Sequence, residues 1–175
     1  WRCARLLTRL TRRRRYGRLL AGRPRLGDST LRCRVAGVEV RAEAGVFVPT
    51  PDATQIAEKA LAAIERIEKP VVVEAGAGCG AIAISVAVHR PDAEVYATEV
   101  ARPALTSAKR NIRRLGLTNV TVHEGSVLTP LPGAVRGTVD LIIANLPFYP
   151  AKGAASVGSI PKETVVGTDD DGLGL

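Results

Sequence analysis

The sequence predicts an α/β fold, a doubly wound and mostly parallel sheet, and three observations lead there. Short apolar runs rich in β-branched residues recur at 71–73, 94–98, 120–122 and 139–144, the composition of buried strands. Segments with helical spacing separate them, and strand–helix alternation implies parallel strands joined by right-handed crossovers. The first run leads into Gly76-Ala77-Gly78-Cys79-Gly80, whose missing β-carbons allow a sharp turn and close approach to a ligand.

Residues 1–26 form a basic arm. They hold ten of the chain's 25 basic residues, all arginine, and no acid, so the remainder carries 15 basic against 17 acidic residues beneath an overall charge of +8. Leu6, Leu7, Leu10, Leu19 and Leu20 interleave with the arginines, a pattern that suits a basic amphipathic helix. Residues 27–48 read as a β-hairpin leading into the main domain, 49–175. Thr50 caps and Pro51 opens a helix carrying Ile56, Ala60, Leu61, Ile64 and Ile67, which Lys69-Pro70 ends.

After the glycine loop, 81–89 is apolar almost throughout and reads as a short buried helix whose N-terminus faces the loop, the geometry of a nucleotide site. The strand 94–98 ends at Glu99. A further helix opens near Pro103, places Leu105, Ala108, Ile112 and Leu115 on one face, and stops at Gly116, with Asn111, Arg113 and Arg114 on its wet face. Residues 129–138 and 151–175 read as loops, and Asp169, Asp170 and Asp171 as a solvated acidic turn rather than a metal site. Only four strands are visible by Ala144, so the sheet is expected to stop short, with one edge uncovered.

Composition narrows the classes. A hydrophobic share of 46% is enough for one core. No apolar run approaches the roughly 18 residues of a membrane span. Cys3, Cys33 and Cys79 show neither paired nor metal-ligand spacing, which fits free thiols in a reducing, cytoplasmic compartment. An arginine-rich, acid-free N-terminus also fits an organellar transit peptide, a contact to RNA or the ribosome, or a solvated arm.

Two motifs carry chemistry. Glu99 falls 19 residues after Gly80, a spacing suited to gripping the two hydroxyls of a ribose. The strand 139–144 runs into Asn145-Leu146-Pro147-Phe148-Tyr149-Pro150, which places two of the chain's six aromatic residues behind an amide and a proline. Such a turn offers two carbonyl oxygens, from the Asn145 side chain and the Leu146 backbone, and a planar NH2 group can dock on both. The acid before the glycine loop, Glu74, would repel a pyrophosphate and suits a cationic amino group.

In these motifs the sequence resembles the class I S-adenosylmethionine-dependent methyltransferases, with their Rossmann-like fold, and among them the HemK-type release factor glutamine N5-methyltransferases. The resemblance runs from about Val38 to the end, through Pro49-Thr50-Pro51-Asp52, Glu74 to Gly80, Glu99, Asn111, Asn145 to Pro150, and Val166 to Leu173. It includes a hairpin over 38–48.

The resemblance implies roles by position. S-adenosyl-L-methionine is the expected cofactor, with Glu74, Gly76, Ala77, Gly78, Cys79 and Gly80 cradling its methionine part. Glu99 is expected on the ribose, and Ser126 and Val127 beside the adenine. Asn145, which also borders the cofactor, and Leu146 are expected to hold the substrate amide, with Pro147 and Phe148 shaping the pocket. A release factor is the expected partner; no metal and no membrane are implied. The family's seven-stranded sheet goes beyond the four strands seen, so the domain is expected to be incomplete. The family has Asp at the positions of Glu74 and Ser126, and Asn-Pro-Pro-Tyr where Asn145-Leu146-Pro147-Phe148 stands. Three readings stay open: methyl transfer to a glutamine amide, to the exocyclic amine of adenine in RNA or DNA, or a cofactor-binding module without catalysis.

Overall fold

A computed structural model of the chain describes the backbone of residues 5–8 and all of residues 30–146. The elements run β1 (Arg5–Thr8), β2 (Leu31–Val35), β3 (Val38–Ala42), α1 (Pro51–Ala63), β4 (Val71–Ala75), α2 (Ala81–His89), β5 (Glu94–Glu99), α3 (Arg102–Leu115), β6 (Val120–Glu124), a short 3-10 turn (Gly133–Val135) and β7 (Leu141–Ala144). Strands lie in the order β1-β7-β4-β5-β6, every pair parallel, while β2 and β3 form a separate antiparallel hairpin.

The parallel α/β architecture is the one expected. Alternation along the strands divides the sheet into two faces. Val72, Val95, Ala97, Val120, Leu141 and Ile143 face the helices and join Ala57, Ile84 and Ala108 in one buried core. α2 is buried at every position from Ala81 to Ala87, which explains its lack of an amphipathic pattern. Tyr96 and His123 fall on the opposite face, their rings stacked at 6.1 Å between centroids.

Several expectations are corrected. Residues 5–8 of the arm form a strand, not a helix, and their backbone pairs with β7 from Arg5↔Leu141 to Thr8↔Ala144, on the edge expected to be bare; the rest of the arm, with Leu10, Leu19 and Leu20, lies outside the described residues. Tertiary pairing overrides local amphipathicity there. The expected hairpin is present as β2 and β3 but is shorter: it turns at Ala36-Gly37 and its second strand stops at Ala42, and Glu43 to Val46 is a turn closed by the Val46 N–H on the Glu43 carbonyl at 3.0 Å.

α1 ends at Ala63, short of Lys69-Pro70. The Arg90 guanidinium collects the Ile64 and Ile67 carbonyls, the latter at 2.6 Å, and supplies the partners that further helix would have given. Thr50 sits at the N-cap, yet its hydroxyl donates to Asp52 at 3.3 Å and accepts no helix N–H. Asn111 is not wet: it is 2% exposed. Among the described residues no helix is long and apolar enough to cross a membrane.

Candidate active site

The carboxyl ends of β4, β5 and β7 converge on the glycine loop. A parallel sheet places its ligands there, because loops leave the strands on that side. The loop is braced from behind: the Ala77 N–H donates to the Thr98 carbonyl at 2.9 Å, and the Gly78 N–H to Glu99 Oε2 at 2.7 Å. The Gly80 N–H folds back onto the Ala77 carbonyl at 2.9 Å. Gly80 has φ +81 and lies against α3, where a β-carbon would stand 3.2 Å from the Ala108 β-carbon. A β-carbon on Gly78 would meet nothing within 4 Å, so that stretch of loop faces open space. A bare, braced backbone beside open space fits the close approach of a cofactor.

Two carboxylates flank the loop. Glu74 points into the core at 2% exposure, and its Oε2 accepts the Ala83 N–H at 2.8 Å. It thereby caps the first turn of α2, whose N-cap, Gly80, has no side chain. Burial raises its pKa to about 8, the Ala83 N–H partly opposes that, and the Glu99 charge adds to it. Glu99 uses both oxygens on backbone: Oε2 on Gly78 and Oε1 on the Ala101 N–H at 2.8 Å, the residue before α3. Each oxygen keeps a free lone pair for a ligand hydroxyl. Cys79 is 1% exposed, and burial pushes its thiol up, so it is a neutral filler.

Gly125 to Val127 follow β6. The Gly125 N–H donates to the Glu99 carbonyl at 3.0 Å, and the Thr98 hydroxyl to the Val127 carbonyl at 2.6 Å. Val127 holds φ +47, an outlier for a β-branched residue. Ser126 between them is exposed.

Asn145 and Leu146 leave β7 beside β4, where Ala144 pairs with Ala75. The Leu146 side chain reaches over Gly76, so close that a β-carbon there would stand 2.5 Å from its Cδ2. The fold thus brings Glu74, the glycine loop, Glu99, Val127, Asn145 and Leu146 to one end of the sheet. Pro147, Phe148 and Asp169 to Asp171 lie outside the described residues. His89 is exposed on the last turn of α2 with Nδ1 on the Ser85 carbonyl at 2.8 Å.

Thr98 was not legible as part of this region. Asn111 carries part of the family resemblance but reads as solvent-facing, although it falls seven residues after Ala104 and three after Ala108, on the buried stripe of its helix.

The model of the Methyltransferase small domain family matches residues 37–163. A release factor glutamine methyltransferase of Moorella thermoacetica is 36% identical over 130 residues, 71% of this chain and 45% of that enzyme. A 4-amino-L-phenylalanine/4-methylamino-L-phenylalanine methyltransferase of Streptomyces pristinaespiralis is 36% identical over 111 residues, 61% of this chain and 37% of that enzyme. The chain thus spans less than half the length of these relatives. Among solved structures, the T. thermophilus 16S rRNA guanine N2 methyltransferase RsmC, in complex with AdoMet and guanosine, superposes with a TM-score of 0.58 at 25% identity, covering 72% of this chain and 34% of that one. With its braced glycine loop, its ordered pair of carboxylates and these matches, the chain belongs to the Methyltransferase small domain family, as a class I, S-adenosylmethionine-dependent methyltransferase domain of the HemK type.

Proposed function

We propose that this chain is the catalytic portion of an enzyme that moves the methyl group of S-adenosyl-L-methionine to a planar amide nitrogen, a glutamine of a peptide chain release factor. The observation that carries this reading is the contact of Leu146 with Gly76. It sets the Asn145-Leu146 turn beside the loop expected to hold the cofactor, so acceptor and donor sites adjoin.

The chain's residues divide the work. Gly76 to Gly80 hold the methionine part, with Glu74 beneath the loop capping α2 through the Ala83 N–H, Glu99 takes the ribose, and Ser126 and Val127 border the adenine. The cofactor supplies an electrophilic methyl on a sulfonium. An amide nitrogen is a poor nucleophile, since its lone pair is delocalised into the carbonyl. Asn145 Oδ1 and the Leu146 carbonyl accept its two N–H groups, fix it in plane, and stabilise the positive charge that grows as the C–N bond forms. Pro147 and Phe148 shape the pocket.

The names of the relatives specify glutamine and a 4-amino group, and that of the structural neighbour guanine N2. In each the name points to nitrogen on a planar group. The likeness to RsmC also supports a second reading, methylation of the exocyclic amine of a nucleobase, flipped out of its stack. One experiment separates them: labelled methyl from S-adenosylmethionine is offered to a lysate lacking the activity, with Asn145→Ala as control. Label lost to protease and kept after nuclease supports the glutamine reading, and the reverse supports the nucleobase. Label that does not depend on Asn145 sinks both.

A further inference from the structure

One buried amide joins three elements in this fold. Asn111, on α3, accepts the Arg41 N–H on Oδ1 at 3.0 Å and donates from Nδ2 to the Arg41 carbonyl at 2.8 Å. It thereby pairs with the free edge of β3 much as another peptide would. The second Nδ2 proton goes to the Cys79 carbonyl, 3.0 Å away in the glycine loop. The amide has two donors and one acceptor oxygen, and all are used at 2% exposure.

The remaining bonds between α3 and the hairpin do not reach the loop. The Ser107 hydroxyl, one turn earlier, donates to the same Arg41 carbonyl at 2.9 Å, and Arg110 pairs with Glu43 at 2.6 Å on the exposed rim. Ser107 and Asn111 thus share one partner, but only Asn111 holds Cys79. The loop's N–H groups are fixed by Thr98, Glu99 and Ala77. The Cys79 carbonyl belongs to the Cys79–Gly80 peptide, whose N–H is held by the Ala77 carbonyl at 2.9 Å; Asn111 holds the carbonyl end, and without it that buried end loses the partner it has here.

We propose that Asn111 is a positioning residue of the cofactor loop, locking the Cys79 carbonyl inward and tying the loop to the β2–β3 hairpin. This rests on the loop's being the S-adenosylmethionine cradle, not on any particular methyl acceptor. Loss of the amide leaves the buried Cys79 carbonyl without its donor, so the loop shifts to regain a partner, and weakens cofactor binding beyond what loss of a hairpin contact does.

The test compares Asn111→Ala with Ser107→Ala in the full chain, by calorimetric titration with S-adenosylmethionine and thermal unfolding. Ser107→Ala is expected to lower Tm while leaving the dissociation constant within twofold. Asn111→Ala is expected to raise that constant tenfold or more. Equal dissociation constants for the two variants would overturn the proposal. If Asn111→Ala does not fold, Asn111→Asp keeps the acceptor for the Arg41 N–H and removes the donors to the Arg41 and Cys79 carbonyls, of which Ser107 still serves the first, and the same comparison decides. Failure of the wild-type chain to bind would instead remove the cradle on which the proposal rests.

Discussion

Leu146 lies across Gly76. A β-carbon on Gly76 would stand 2.5 Å from Leu146 Cδ2, and the backbone there is at φ +68. The residue after Asn145 and the first glycine of the loop proposed to hold the cofactor are therefore one packed unit, although 70 residues apart in sequence.

Gly76→Ala is expected to cost about 1–3 kcal/mol, from a left-handed conformation that alanine resists and from displacing the leucine. Leu146→Ala on the same background should recover the steric share and leave the backbone share. A double-mutant cycle by urea unfolding reads this as a coupling of about 1 kcal/mol. Additive effects would mean that the two residues do not touch.

Glu74 gives a pH dependence with a defined sign. Its folded pKa of about 8 lies above the ordinary 4.5, so the folded state binds the proton more tightly than the unfolded one. The contribution to stability is fully present below about pH 4.5 and is lost as pH rises through 8. The unfolding free energy should fall across that window, by up to ~1.4 kcal/mol per pH unit. Glu74→Gln keeps an acceptor for the Ala83 N–H and does not titrate, so its stability should be flatter between pH 5 and pH 8. Parallel wild-type and Gln curves would show that Glu74 keeps its charge on folding.

The sequence made the strand–helix order legible because each element carries its own period, and Gly76 to Gly80 because only glycine serves a turn at that approach. It misread elements whose partners are remote. Arg5 to Thr8 look amphipathic in isolation but pair with β7, and the end of α1 is set by Arg90, 23 residues beyond Ile67. Asn111 is polar and flanked by arginines, so composition placed it in water; its partners Arg41 and Cys79 lie 70 and 32 residues away. Glu99 was legible from its spacing, though not its use of both oxygens on Gly78 and Ala101.

That double use makes Glu99 sensitive to a conservative change. In Glu99→Gln, one of the Gly78 and Ala101 N–H groups faces an NH2 instead of an oxygen. An unpaired group at 8% exposure should cost about 1–3 kcal/mol. S-adenosylmethionine affinity should fall tenfold or more, since the brace is lost together with the ribose ligand proposed above. Titration calorimetry checks it; an unchanged affinity would place the ribose elsewhere.

Thr98 tests whether the loop after β6 belongs to the site. Its side chain is fully buried, and its hydroxyl donates to the Val127 carbonyl at 2.6 Å. Val127 sits at φ +47, where a β-branched residue is strained by about 1–3 kcal/mol and persists only if its surroundings hold it. Thr98→Val keeps the shape and removes that bond. Stability should drop by about 1–2 kcal/mol, and the Gly125 N–H, bonded to the Glu99 carbonyl at 3.0 Å, should exchange faster with solvent. Adding Val127→Asn, a residue that tolerates this conformation, should restore part of the stability by removing the strain the bond opposed. If the Gly125 exchange rate is unchanged in Thr98→Val, the loop is held by something other than Thr98.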